Sequence, residues 1–246
     1  LLMTLIILSA VYGCNNNSGN KSIKTEQTPN QKLPKTKVVT TFLPVYLFTK
    51  AVARDVADVD ILVKPGTDVH EYQGTPANVR AIATARVLVK NGLGLEEFLT
   101  DTIKNAGNYQ LIEIDASKGI QAINKSSSND KIAIGEHDHK HEFGNPHVWL
   151  DPVLAKQQII NIRDGLITAD PGNKANYQSN AAAYIQQLDK LNDEFQQKIK
   201  QTPNCTFITF HDAFPYLAKR YNIKQLAVVE IPEKQLSPTD IQKVVN

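Results

Sequence analysis

The chain has 246 residues, of which 41% are hydrophobic and 7% aromatic, and its formal net charge is +2. That apolar content suffices for one sizeable core or two modest ones. The near-neutral balance excludes the strong basic field of a nucleic-acid binder and the composition of an acidic disordered tail.

The chain opens with LLMTLIILSAVYGC, an apolar run too short to span a bilayer with ease, closing on small residues and Cys14. This is the form of a bacterial secretory segment with a lipobox, V-Y-G-C, whose cleavage leaves Cys14 as a lipid-modified first residue. Residues 1–14 are therefore read as a lipoprotein signal segment. The polar, aperiodic residues 15–36 are read as a flexible tether. No positively charged region precedes the apolar run, so the start of the segment is expected to be missing. Cys205 is the other thiol. With Cys14 lipidated, no internal disulfide is expected here, and Cys205 reads as a small buried hydrophobe or as half of a pair completed further along.

From residue 37 strands and helices alternate. KVVTTF predicts a strand, PVYLFTKAVAR a helix with Pro44 in its first turn, and VDILV a second strand. A turn-rich stretch, PGTDVHEYQGTP, leads to a helix from about Pro76, then the strand RVLVK, a helix over LEEFLTDTIKNA and the strand QLIEI. Strands separated by helices of this length predict parallel pairing with right-handed crossovers, and ligands bind outside the carboxyl ends of such strands. His70 leaves the carboxyl end of VDILV.

Residues 117–144 form a long run without periodicity. Within it His137, His139 and His141 alternate with Asp138 and Lys140. Loops of this length inside compact domains are usually functional. His147 differs: it lies in NPHVWLDP, among turn formers and large apolar groups that predict an ordered position. Asp151 and Pro152 then fit the N-cap and first position of a helix. Ala169-Asp170-Pro171 is expected to start the next helix by the same device. In that helix Tyr177, Ala181, Tyr184, Leu188, Leu191, Phe195 and Ile199 recur at helical spacing. It is about thirty residues long, long enough to run from one lobe to another. Beyond it NCTFITF and IKQLAVV predict strands, with His211 at the end of the first and a helix over FPYLAKRYN between them. SPTD, containing Asp240, offers one more helix start shortly before Asn246. The expected architecture is α/β with two lobes: an N-terminal lobe over 37–170, a linking helix over 171–202 and an incomplete C-terminal lobe over 203–246.

His70, His147 and His211 each lie at a junction between a loop and a regular element. Neutral imidazole is the commonest protein ligand for zinc, and three of them leave a fourth tetrahedral position open. Taken singly, each histidine reads equally as a capping or hydrogen-bonded loop residue. Spacing alone leaves both readings standing.

VVTTFLPVYLFTKAVARD, ILVKPGTDVHEYQGTPANVRAIATARVLVKNGLGLEEFL, NPHVWLDP and FITFHDAFPYLAKRYNI resemble the solute-binding lipoproteins of bacterial zinc and manganese ABC importers, the ZnuA and TroA type or cluster 9. The resemblance runs from about residue 36 to 246. It implies two lobes joined by a long rigid helix, a metal held between them, and delivery to a membrane permease powered by an ATPase, without catalysis. It implies a monomer, exported and lipid-anchored, in the periplasm or on the outer face of the cytoplasmic membrane. By position, His70 in PGTDVHEY, His147 in NPHVWLDP and His211 in FHDAF match the family's first three ligands. The fourth, an aspartate in most members, is expected beyond Asn246. Asp240 does not fill that role, and Glu71, which follows His70 rather than preceding it, is a weak match to the glutamate some members use.

Manganese-type members tend to carry Glu at the third ligand position. His211 stands there instead, and imidazole suits Zn2+ better than Mn2+, so zinc is the expected ion and manganese the alternative. His137, His139 and His141 resemble the histidine-rich loop of zinc members, a weaker accessory metal site because a flexible loop must be ordered to chelate. An enzyme and an adhesin are the two alternatives. An exported zinc hydrolase would use Glu136 or Glu142 as general base, yet Lys140 stands where the metallo-β-lactamase pattern has Asp. An adhesin-type member would share the fold.

Overall fold

The computed structural model describes residues 34–123 and 144–229. The residues read as a lipoprotein segment with Cys14 and as a tether (up to residue 33), the histidines at 137, 139 and 141, and the SPTD stretch read as a helix start lie outside the described residues. Among those described, no helix is long and apolar enough to cross a membrane.

Four strands form one sheet: β1 (Thr36–Thr40), β2 (Ala57–Ile61), β3 (Val87–Lys90) and β4 (Ile112–Asp115). They lie in the order β2-β1-β3-β4, and every pairing is parallel. The chain steps outward from β1 to β2, then crosses back past β1 to β3. With right-handed crossovers this reversal puts the connecting helices on opposite faces. Accordingly α1 (Leu43–Ala53) packs with α4 (Pro152–Ala169) and α5 (Lys174–Lys200), while α2 (Pro76–Thr84) packs with α3 (Leu99–Ala106). Val38, Val87, Leu88, Val89, Ile82, Ile159 and Ile162 fill the core between these layers. β3 is covered on both faces, which is why it reads as an uninterrupted apolar run.

The VDILV reading needs a small correction. Regular pairing of β2 begins at Ala57 and ends at Ile61, although Leu62 N–H and Val63 N–H still donate to Thr40 O and Thr41 O at 2.8 and 2.9 Å. The third helix starts at Leu99, four residues later than LEEF suggests. Glu96 is turned inward: its carboxylate accepts from Thr41 Oγ1 (2.7 Å), Asn91 N (2.6 Å) and Gly92 N (3.1 Å), tying the ends of β1 and β3 together. Burial pushes this carboxyl above its ordinary range, against the pull of those three donors.

Asp151 caps α4 as its sequence requires, accepting from Val153 N (2.8 Å) and Leu154 N (3.4 Å), with Pro152 in the first turn. Asp170 does not repeat the device. A single 3-10 turn, Pro171–Asn173, precedes α5, and the Asp170 carboxylate accepts from Tyr177 OH (2.7 Å) and Asn173 Nδ2 (2.9 Å) instead of from backbone. The buried Tyr177 phenol needs an acceptor more than the exposed helix start does.

The 27 residues of α5 span about 40 Å at 1.5 Å each. Its first half is packed: Tyr177, Ala181 and Leu188 are buried, and Phe48 meets Tyr184 edge-on with centroids 5.9 Å apart. The expected apolar stripe fades beyond Leu188, and Leu191 is exposed. Phe195 then stacks on Tyr221 (5.2 Å) of α6 (Pro215–Tyr221), and Tyr221 OH donates to Asn192 Oδ1 (3.2 Å). The helix therefore touches the first sheet's helices at one end and α6 at the other. Helix α6 connects β5 (Thr206–His211) to β6 (Lys224–Val229), a parallel pair forming the second sheet. Cys205, read as a buried hydrophobe or as half of a pair completed further along, is partly buried and free among the described residues. It directly precedes a strand whose two faces are both incompletely covered.

Candidate metal centre

The loop carrying His70 is held at both ends. Gly66, at φ +86°, makes the turn after β2 that a Cβ would strain, and Asp68 Oδ1 accepts from His70 N–H at 2.8 Å. Further on, Thr75 and Asn78 form a capping box at the start of α2, and Tyr72 OH donates to Asn78 Oδ1 at 3.0 Å. Gly74 lies so close to Thr102 of α3 that a Cβ there would overlap its hydroxyl.

His147 lies at the junction of a loop and a regular element, as expected, but that element is not a strand. The residue precedes a 3-10 turn, Val148–Leu150, that feeds α4, and it is 5% exposed. Its main chain is fixed by Asn91, whose Nδ2 donates to Pro146 O at 3.0 Å while Gln158 Nε2 donates to Asn91 Oδ1 at 2.9 Å. Trp149 walls the site, with its ring 5.1 Å from His147 and edge-on to Phe42 at 4.9 Å. His211 is the last residue of β5. Burial holds its imidazole below the ordinary range, opposed by the charges of Asp68 and Asp212, so the neutral form needed for ligation is favoured.

The fold brings all three together. His147 Nε2 lies 3.3 Å from His70 Nε2 and 3.3 Å from His211 Nε2. One ligand atom from each residue lies within 4.8 Å of the others. Zinc–imidazole bonds of about 2.05 Å at tetrahedral angles put neighbouring nitrogens about 3.3 Å apart, so the two edges at His147 match that polyhedron, and the third pair lies within 4.8 Å. The three rings face a cavity of about 330 Å³ whose lining includes Asp68, Trp149 and Phe214. A larger groove of about 590 Å³ runs along β2 and is lined by Lys50, Arg54, Asp58 and Asp60 among others. It has no histidine, and its mixed charges give no ligand set.

Sequence reasoning missed the groups that hold the histidines in place. Asn145 accepts at Oδ1 from His147 N–H (3.0 Å), lies 2.9 Å from His147 Nδ1, and donates from Nδ2 to Asp212 O (2.8 Å). Tyr216 OH donates to Asn145 O (2.5 Å), and Arg220 Nε pairs with both oxygens of the Asp151 carboxylate at 2.5 Å. The Asx residue two before His147 was a usable signal for Asn145. Nothing local pointed to Tyr216 or Arg220, whose partners lie 71 and 69 residues away.

The chain matches known proteins over most of its length. Residues 38–246 match the family described as ZnuA, zinc-uptake complex component A, periplasmic. The chain is 34% identical over 241 residues to the high-affinity zinc uptake system protein ZnuA of Bacillus subtilis, covering 98% of this chain and 75% of that one. It is 36% identical over 199 residues to the zinc-binding lipoprotein AdcA of Streptococcus pneumoniae, covering 79% of this chain but 39% of AdcA. The crystal structure of Zn(II)-bound AdcA from Streptococcus pneumoniae superposes with a TM-score of 0.71 at 32% identity, covering 85% of this chain and 43% of that one. The chain thus spans well under half of AdcA and three quarters of the Bacillus protein. A match over so much of this chain, with the histidines converging in one cleft, makes it a member of the ZnuA family of periplasmic zinc-uptake components.

Proposed function

We propose that this protein is an extracytoplasmic solute-binding protein that captures Zn2+ through His70, His147 and His211 and delivers it to an ABC-type permease driven by an ATPase. The observation that carries the reading is the pair of 3.3 Å Nε2 separations around His147, which match a tetrahedral zinc site. His70 and His147 come from the four-stranded sheet's side, and His211 from the two-stranded sheet. The ion is cargo, held by three imidazoles with a fourth position left for a carboxylate or water.

Zinc is favoured over manganese because the only group of three or more close ligand-type side chains among the described residues consists wholly of imidazole. The family is one of uptake components, and the chain is a binding protein, not an enzyme. The division into lobes at residues 170 and 202, the lipid anchor at Cys14, and weak accessory binding by His137, His139 and His141 belong to the same proposal.

Competition of purified protein against a chromophoric zinc chelator tests it. Single substitutions His70→Ala, His147→Ala and His211→Ala are each expected to weaken zinc binding by roughly 100-fold or more, beyond the loss typical of outer-shell changes. Ser in place of the three loop histidines should leave one tight site. Undiminished binding in all three Ala variants would overturn the assignment.

A further inference from the structure

We infer that Asn145 is a positioning residue for zinc capture: it sets the tautomer of His147 and links that imidazole to the loop that carries His211. Its consequence for metal affinity rests on the zinc reading above, but its geometry does not. Two contacts orient the side-chain amide. The backbone N–H of His147 can only donate, and it reaches Asn145 Oδ1 at 3.0 Å, so that atom is the oxygen. The carbonyl of Asp212 can only accept, and it lies 2.8 Å from Nδ2, so that atom is the NH2 group. Both ends of the amide give the same answer.

The orientation decides the proton on His147. Its Nδ1 lies 2.9 Å from the same Oδ1, and a ring nitrogen facing an acceptor carries the proton. The lone pair of neutral His147 therefore stands on Nε2, the atom 3.3 Å from both other imidazoles. A neutral histidine free in water favours the other tautomer, with its proton on Nε2 and no lone pair there to offer a metal. Asn145 removes that conflict before the ion arrives.

The same residue reaches across to the second sheet. Asp212 directly follows His211, and Tyr216 OH donates to the Asn145 carbonyl at 2.5 Å. Asn145 N–H donates to Ile123 O at 3.0 Å, and Ile123 N–H in turn donates to Tyr216 OH at 3.1 Å. One side chain thus holds His147 by its oxygen and the His211 loop by its nitrogen. The two roles separate chemically: Asn145→Asp keeps an acceptor for Nδ1–H and loses the donor to Asp212, whereas Asn145→Ala loses both.

The deciding experiment is ring ¹⁵N NMR of histidine-labelled, metal-free full chain at pH 8, with His147 assigned by its absence from the His147→Ala spectrum. Wild type and Asn145→Asp are expected to show His147 protonated on Nδ1, and Asn145→Ala to show it shifted toward the Nε2–H form. A wild-type His147 protonated on Nε2, or an Asn145→Ala spectrum unchanged from wild type, overturns the inference; the first outcome needs no Asn145 variant to fold. Zinc competition on the same samples should show Asn145→Ala weakened roughly 10–100-fold and Asn145→Asp by less. Equal zinc affinity in wild type and Asn145→Ala also overturns the positioning role. A wild type that binds no zinc sinks the functional reading instead, and the tautomer then decides the inference alone.

Discussion

In β3 the side chains from Val87 to Val89 are wholly buried, whereas in β5 Ile208 and Phe210 are 56% and 51% exposed. Both are parallel strands rich in β-formers, yet one is the centre of a two-faced core and the other belongs to a two-stranded sheet whose apolar side chains are exposed among the described residues. The difference separates two jobs. The first sheet supplies stability and a preformed place for His70 and His147. His211 arrives on the two-stranded sheet, tied across by polar contacts: Arg220 to Asp151, Tyr216 and Asp212 to Asn145. The three-histidine cluster is therefore seated on a packed sheet at His70 and His147, while His211 is tied to it by directional bonds between distant residues.

The comparison breaks first in the buried sheet. Leu88→Ala should destabilise the chain by about 3 kcal/mol, through lost burial and an unfilled cavity, read as a lower urea midpoint with an unchanged slope. A loss below 1 kcal/mol would mean that β3 is not the centre of the core.

The next largest effect is a pH dependence at Glu96. Its folded-state pKa is raised above the ordinary 4.5, so between that value and the raised one the folded chain binds more protons than the unfolded chain. Stability from this group therefore falls as pH rises through that window and is regained on acidification. Thr41, Asn91 and Gly92 face the carboxylate as donors, and Asp115 adds a repelling charge. Asp115 is itself raised by burial and contributes in the same direction. Glu96→Gln should remove the Glu96 part, flattening the pH slope by at most one proton, about 1.4 kcal/mol per pH unit. Identical slopes in the two proteins would contradict the buried, ionisable assignment, whatever offset the lost acceptor introduces.

The smallest effect is expected on the two-stranded sheet. Ile208→Thr should change the stability of this chain by no more than about 0.5 kcal/mol. A loss of 2 kcal/mol would show that this face is covered in solution, and the contrast between the sheets would narrow.

Much of this was legible in residues close together along the chain. The apolar run of β3, the Asp151-Pro152 helix start, the helical spacing through Leu188 and the alternation of strand and helix are local patterns, because backbone hydrogen bonding and side-chain periodicity are short-ranged. The three histidines could be named, since each stands beside turn formers at an element boundary. That they share one point in space could not be read from their spacing of 77 and 64 residues; only the resemblance to a family suggested it. Where local rules misled, a burial demand had overridden them. Asp170 serves the Tyr177 hydroxyl instead of the α5 backbone, and Glu96 delays α3 to satisfy donors at two strand ends.

By itself, then, the amino-acid sequence determined the parallel α/β order, the long helix and the imidazole chemistry, all properties of neighbouring residues. Tertiary structure alone decided that His147 faces both other rings and that Asn145 spans from one imidazole to the loop of the next. Those depend on distances between segments remote in the chain, which side-chain pattern does not encode and packing does.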